Sequence, residues 1–465
     1  MDKAIQLPQF EQFTSLTAEK CRAIRDAYSD DDFDEVFPAG SAVVPALFVG
    51  RKAQLEKISS LVRGVQRGGG LLGAVIHGPR GTGKTALLSA LRQAIGADDA
   101  MVIGMTGNGA LRSDETLISR LSRFMSPLEE TSSSHRGGTK LGVSYHYETS
   151  TTHKERIYER DIQSSIESVV DNFPGKPVFL LVDEAHGADP MVLGNLMNSV
   201  QAITTGGQGR IGFVLAGTPD TLDVLSDTRC RASWFLDRAQ DERLIPVPND
   251  LSVEDCEQAI QAILKAANVT VQGNDLRNML ARCKGSPYFF QVLGQSALAS
   301  ASRHGDIAVF EVGGEIDRRF EKVIGDRYRM MWRNLNDKNL SACARQMGCL
   351  WRRMEEVGDE MSYDLIRDAL ESGLKHPSSK KSVLSLDEAE IHFKHLGLLW
   401  STSGDDEGPW SLGLPSFFDH VEHQFESSRQ RALQATLPKL QADMETLFDQ
   451  VGWRRSGTGK SDLAR

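Results

Sequence analysis

The sequence predicts an α/β fold in its first half, a parallel sheet carrying a phosphate-binding loop. A small helical unit follows, and then an α+β unit of three helices closed by a strand, loop and strand. Three observations predict this. Gly78-Pro79-Arg80-Gly81-Thr82-Gly83-Lys84-Thr85 fits the pattern G-x-x-x-x-G-K-[ST] without a mismatch. Apolar runs at 71–76, 101–105, 178–182 and 211–216 have the continuous character of strands buried on both faces. The run Val178-Phe179-Leu180-Leu181-Val182 also ends in two carboxylates, Asp183 and Glu184.

The glycine-rich loop lies between a predicted strand and a helix that begins with Lys84, Thr85 and Ala86-Leu87-Leu88. In that position the glycines permit a tight turn and a close backbone approach, and the helix N-terminus presents unpaired N–H groups to a phosphate. The expectation is that Gly78, Pro79, Arg80, Gly81, Thr82 and Gly83 cradle a nucleotide's phosphates. Lys84 reaches the β- and γ-phosphates, and the Thr85 hydroxyl ligates Mg²⁺. Upstream, Phe48-Val49-Gly50-Arg51 breaks an extended segment at Gly50 before an amphipathic helix. This stretch is placed to fold over a base, with Val49 packing on its face.

Composition bounds the rest. The chain has 465 residues, enough for about three domains, with 40 % hydrophobic and 25 % charged residues, the balance of a globular protein. A formal charge of -10 argues against a generally basic nucleic-acid binder while leaving room for a local basic face. No stretch approaches the ~20 apolar residues of a membrane span, and the N-terminus lacks an apolar signal core, so a cytoplasmic location without membrane contact is expected. The six cysteines are scattered and form no C-x-x-C pair, which reads as buried free thiols rather than a metal site or disulfide.

Taken in order, residues 1–39 read as a leader with helical potential at 18–28 and a solvated acidic run at 30–35. Residues 40–245 read as the nucleotide-binding core. Within it, about 107–160 is an insertion rich in Ser, Thr, Gly and His, either a partner-binding element or a surface loop, with alternation at 139–147 that fits a hairpin. Asp183 is placed to hold Mg²⁺ through a water, and Glu184 to polarise the attacking water. Thr218, at the end of the run 211–217, either orients that water and senses the γ-phosphate or merely starts the turn before Pro219. The arginine-rich segment 229–238, ending in Arg238, is either a source of a finger reaching a neighbouring subunit's γ-phosphate or a surface of salt bridges.

Residues 246–325 read as a helical lid and 326–425 as three helices closed by a strand, loop and strand. The third helix carries Asp387, Glu388 and Glu390 against Lys394, which opposes docking on DNA phosphates. The basic loop 375–381 and the tail at Arg454, Arg455 and Lys460 supply cations instead. Residues 426–465 read as a packing helix, with helical spacing at 433–447, and a disordered tail.

Together the segments at 48–51, 78–85, 181–184 and 216–219 and Lys284-Gly285-Ser286-Pro287-Tyr288 resemble the AAA+ ATPases, P-loop NTPases of the ASCE class. Within these they resemble the origin-recognition-like (Orc-like) group that borders the STAND NTPases. The resemblance covers about 44–300. It implies ATP and Mg²⁺ as cofactors, ATP hydrolysis, a lid whose G-x-P segment brings Pro287 to the nucleotide, and a winged-helix domain after the lid. One departure stands out. Where many AAA+ proteins carry a sensor arginine after that proline, this chain has Tyr288, so either Arg282 or Lys284 substitutes or the lid senses nucleotide through its backbone and Pro287. That departure and the acidic third helix favour a STAND-like switch acting on a partner protein or on self-assembly. The alternative is an ATP-dependent DNA-binding factor in replication, transposition or genome defence.

Overall fold

Five parallel strands make the central sheet: β1 (Gly73–His77), β2 (Met101–Thr106), β3 (Val178–Asp183), β4 (Ile211–Gly217) and β5 (Leu244–Pro246), in the spatial order β2-β3-β4-β1-β5. The structure is a computed structural model. It describes residues 15–39, 43–68, 73–95, 100–125, 161–207, 210–238, 243–357, 361–376, 384–401, 410–415, 417, 418 and 421. The expected hairpin at 139–147, most of the insertion, the greater part of the basic loop, the carboxy-terminal helix and the tail therefore lie outside the described residues.

β1 and β4 are buried along their whole length, which is why their sequences do not alternate. Helices α1 (Ala18–Ser29) and α2 (Phe33–Val36) precede the core. Within it, α3 (Lys52–Gln66) and α4 (Lys84–Ile95) cover one sheet face through residues such as Ile58, Val62, Leu87 and Leu91. The other face is covered by α5 (Asp114–Leu121), α6 (Ile162–Asn172), α7 (Pro190–Thr205), α8 (Asp220–Ser226) and α9 (Ser233–Arg238). The register aligns the strand ends, with His77 opposite Gly217 and Thr106 opposite Asp183. Loop 78–83, Asp183-Glu184 and Thr218 therefore emerge at one edge of the sheet, the edge where open α/β sheets bind ligands.

Beyond β5 come α10 (Val253–Ala266), β6 (Thr270–Gln272), α11 (Leu276–Arg282), α12 (Pro287–Ala301) and β7 (Ile307–Val309), with β6 and β7 forming a short parallel pair. The long helix α13 (Glu315–Asp337) has 23 residues, about 35 Å at 1.5 Å per residue. It runs straight through the expected lid boundary at 325. Its stripe Ile316, Phe320, Ile324, Tyr328, Met331 and Leu335 belongs to one apolar core shared by α10 to α12 and the carboxy-terminal helices.

The carboxy-terminal unit is α14 (Ser341–Val357), α15 (Tyr363–Leu374) and α16 (Leu386–His395), closed by the antiparallel strands β8 (Leu399–Ser401) and β9 (Trp410–Leu412). Met361, between α14 and α15, bridges to Trp410 and extends that small sheet.

Four expectations are corrected. Described residues 15–39 are no free leader, because Ile24, Ala27, Val36 and Phe37 are buried in a core shared with α10 and α12, and Tyr28 donates to Asp306 at 2.8 Å. Nor is the acidic run merely solvated: Asp31 accepts from Ser302 at 2.7 Å, and Asp34 accepts from the Gln295 amide. The first part of the expected insertion belongs to the core, since Leu111, Leu117, Ile118 and Leu121 pack beneath the sheet. All six cysteines are free thiols, but Cys349 is exposed and Cys21 only half-buried. Among the described residues no helix is long and apolar enough to cross a membrane.

Candidate functional site

Loop 78–83 joins β1 to α4, and its middle residues need glycine: Gly81 and Gly83 have φ of 87° and 90°. The Thr82 hydroxyl donates to the Pro79 carbonyl at 3.0 Å and closes the turn. Lys84 folds back into the loop, where its ammonium donates to the Gly78 carbonyl at 2.9 Å and the Pro79 carbonyl at 2.6 Å. Burial lowers its pKa to about 8, against the raising influence of Glu184 and Asp183. A buried ammonium satisfied only by loop carbonyls, at the start of a twelve-residue helix, is a seat for an anion.

Beside it opens a cavity of about 300 Å³. One wall is apolar, with Leu47, Phe48, Val49 and Leu251. Its floor is Arg80 to Ala86, with Glu184 and Thr218 at one end and Pro287, Tyr288 and Gln291 of α12 as its lid wall. The size and the apolar-to-polar gradient suit a nucleotide. Gln291 adds to the fit, because its Oε1 is buried without a partner. Gly50, Gly78 and Pro79 support this cavity rather than line it. Gly50, with φ 61°, packs on Leu251, and Gly78 packs on the backbone of Val247.

Arg51 ties these pieces together. Its buried guanidinium reaches Asp250 at 2.6 Å, the Pro248 carbonyl at 2.7 Å and the Thr82 carbonyl at 3.4 Å. Burial lowers its pKa, opposed by Asp250.

Thr85 lines this cavity and also a second one beside it, which Asp183 lines. One Asp183 oxygen accepts from the Glu184 N–H at 2.9 Å. Among the described residues no cluster of three or more His, Cys, Asp and Glu side chains could hold a metal. The donor set of a hydroxyl and one carboxylate fits Mg²⁺, which takes oxygen ligands and completes its shell with water and phosphate.

Glu184 has a left-handed backbone, φ 52°, and its Oε2 lies 3.2 Å from His186 Nε2. The Thr218 N–H donates to His186 Nδ1 at 3.4 Å, so the imidazole bridges the ends of β3 and β4. Burial lowers the His186 pKa, against Glu184 and Asp220. The Thr218 hydroxyl, itself buried, donates to Asp220 Oδ2 at 3.3 Å.

Neither Arg282 nor Lys284 lines the cavity. Arg282 is engaged by Asp317 and by Glu321 at 2.5 Å, and Lys284 lies 3.8 Å from Glu355. From the lid side, the cation that approaches the loop is Arg327 on α13. Its Cζ sits 4.3 Å over the Tyr288 ring, and its Nη2 lies 3.5 Å from where a Cβ on Gly81 would be. Tyr288 N in turn donates to the Gly81 carbonyl at 3.2 Å. Sequence reasoning missed Arg327 because it lies outside every motif. It also missed His186, although that residue stands two positions after Glu184. In the arginine-rich segment, Arg229 pairs with Asp227 at 2.7 Å. Arg238 ends α9, and its side chain lies outside the described residues.

The carboxy-terminal unit reaches this loop from behind. Gly397 packs on Arg80, a Cβ on it coming 3.2 Å from the Arg80 nitrogen, and a Cβ on Gly413 would come 3.0 Å from Pro79 Cβ. Asn249 Nδ2 donates to the Gly413 carbonyl. His395, at the end of α16, places Nε2 3.4 Å from Asp220 Oδ2.

The carboxylates of α16 are largely consumed inside the unit. Glu390, buried, accepts from Tyr363 at 3.0 Å and pairs with Arg367 at 3.2 Å and Lys394 at 2.8 Å. Asp387 pairs with Arg367 at 2.8 Å, and Glu388 completes a capping box with Ser385.

Residues 47–202 match the family model described as AAA ATPase domain. No curated protein matches the chain. Among solved structures, the chain is similar to a Walker-type ATPase of Pyrococcus abyssi, with 15 % identity, 81 % of this chain and 96 % of that one covered, and a TM-score of 0.48. It is also similar to Cdc6p of Pyrobaculum aerophilum (14 %, 84 % and 98 %, TM-score 0.42). A third is the Orc1 protein of Aeropyrum pernix in complex with DNA (16 %, 83 % and 96 %, TM-score 0.38).

Proposed function

We propose that this chain, an ATPase by its AAA ATPase domain, is a STAND-like switch in which ATP at loop 78–85 sets the position of the carboxy-terminal unit and so signals to a partner protein. The observation that carries this reading is the double use of Pro79-Arg80. Arg80 lines the nucleotide cavity, and the two residues together form the seat of Gly397 and Gly413. Lys84 holds the carbonyls of Gly78 and Pro79 now. Turning to phosphate oxygens, it releases them, and the seat loosens.

In this reading the base packs on Val49 and Phe48 beneath Pro287, and the loop N–H groups take the phosphates. Thr85 and Asp183 would hold Mg²⁺, which supplies charge neutralisation at the phosphates when bound. Glu184 accepts the proton of the attacking water, and Thr218 orients that water. Residues 326–425 are taken as a winged-helix unit, supported by the element order and by the bridge from Met361 to Trp410. The arginine-finger role of Arg238 remains a proposal for an assembled form.

A second reading, an ATP-dependent DNA-binding factor, is favoured by one observation. The α16 carboxylates that argue against phosphate contact are paired or capping within the unit. Sedimentation of the Glu184→Gln protein with ATP, with and without duplex DNA, separates the two. Mass gain that requires DNA supports the second, assembly with ATP alone supports the switch, and absence of ATP binding contradicts both.

A further inference from the structure

We infer that His186, Asp220 and His395 are positioning residues that hold Glu184 and Thr218 away from hydrolysis while the carboxy-terminal unit is docked. The inference rests on the proposed hydrolytic roles of those two residues.

A continuous polar chain runs from the proposed base to α16. It passes from Glu184 Oε2 to His186 Nε2 (3.2 Å), from His186 Nδ1 to the Thr218 N–H (3.4 Å), from the Thr218 hydroxyl to Asp220 Oδ2 (3.3 Å) and on to His395 Nε2 (3.4 Å). The tautomer follows from the geometry. Nδ1 accepts from a backbone N–H, so a neutral imidazole carries its proton on Nε2 and points it at Glu184. A carboxylate that accepts this hydrogen bond is aimed at an imidazole rather than at a water over the phosphates. Thr218 is turned likewise, its hydroxyl proton given to Asp220.

Only the last member of the chain comes from outside the unit built on the five-stranded sheet. His395 ends α16, two residues before Gly397, whose packing on Arg80 fixes where that helix ends. Docking therefore delivers His395 to the same carboxylate oxygen that takes the Thr218 hydroxyl. When loop 78–80 loosens its seat, His395 withdraws, Asp220 rotates free, and Thr218 and Glu184 are released to the cavity.

The test is steady-state ATP hydrolysis by the full chain, with thermal unfolding as the folding control. His395→Ala should raise kcat about fivefold, the factor carried by one net hydrogen bond. Asp220→Asn should do the same, and the double variant should gain no more than either single change. His395→Lys, which keeps an N–H donor beside Asp220, should return the rate toward that of the unsubstituted chain. A structural role for His395 would lower kcat or leave it unchanged, and either result in the folded variant overturns the inference, as does an additive double variant. Where His395→Ala unfolds, His395→Leu, which also lacks a donor, is read in the same way. If Glu184→Gln leaves hydrolysis intact, the proposed base is wrong. If Glu184→Gln stops hydrolysis and His395→Ala does not raise it, only the present inference fails.

Discussion

The indole of Trp400 meets the imidazole of His77 edge to face, with ring centroids 6.0 Å apart and planes at 64°. Trp400 belongs to β8 of the carboxy-terminal hairpin, and His77 is the last residue of β1, one position before the phosphate loop. Both are buried. Among the described residues neither nitrogen of His77 has a hydrogen-bond partner, and burial together with the Lys84 charge pushes its pKa down to about 4, so the ring is a neutral packing surface. Hairpin and loop thus meet across an apolar contact, tethered at its rim by Asn249.

Asn249→Ala tests that tether. The substitution removes the hydrogen bond to the Gly413 carbonyl and an Oδ1 that is buried without a partner. If docking competes with nucleotide, ATP affinity rises by about fivefold, the equivalent of one net hydrogen bond. Equilibrium titration with a fluorescent ATP analogue reads the change, and weaker binding would speak against competition.

The pH dependence of binding follows from Lys84. Without nucleotide its pKa is lowered to about 8 by burial, and phosphate oxygens favour the charged form and raise it again. Above about pH 8 binding therefore takes up a proton, and ATP affinity falls by up to tenfold per pH unit. Folding carries the related sign. The folded chain releases this proton before the unfolded chain does, so the contribution of Lys84 to the stability of the nucleotide-free protein rises between about pH 8 and 10.5. Lys84→Ala should abolish ATP binding and flatten that slope. Titration calorimetry across the window checks both.

Arg327 should discriminate ATP from ADP. Its guanidinium is presented by Tyr288 at the Gly81 side of the loop. Arg327→Ala is expected to cut the ratio of ATP to ADP affinity by about tenfold, the size of a lost charge-assisted hydrogen bond. Arg282→Ala, on the lid's outer salt bridges, should leave the ratio alone. Equal losses for ATP and ADP in Arg327→Ala would make the residue a structural brace.

Glu184→Gln should keep ATP binding and lower kcat by a factor of about 100 or more, as loss of a general base does. Single-turnover and steady-state rates separate a slowed chemical step from slowed release.

Much of the fold was legible because the strands are buried on both faces. A run such as Val178 to Val182 has no solvent side to interrupt it, and the loop after Gly73–His77 carries its chemistry in its own spacing. Asp183, Glu184 and Thr218 were readable for the same reason, since they stand where apolar runs stop.

α13 was less legible. Its stripe from Ile316 to Leu335 is regular, but Arg318, Arg319, Asp326, Arg327 and Arg329 between those positions dilute it, and Arg327 gains meaning only beside Tyr288. β6 and β7 have three residues each, too short for any period. The seat on Pro79-Arg80 was invisible, because a glycine's close contact with a distant loop leaves no mark on its neighbours in sequence. The partners of the α16 acids were hidden for a related reason. Charge is counted along the chain, whereas Glu390 finds Arg367 and Tyr363 across the fold.

Amide hydrogen exchange on the Glu184→Gln protein, with and without ATP, tests most directly whether loop 78–85 controls the carboxy-terminal hairpin. ATP should slow exchange in loop 78–85 and speed it in 398–401 and 410–414, as the hairpin leaves its seat. Slower exchange in the loop with no change in the hairpin would contradict the account, since nucleotide would then fill the cradle without moving the unit docked behind it.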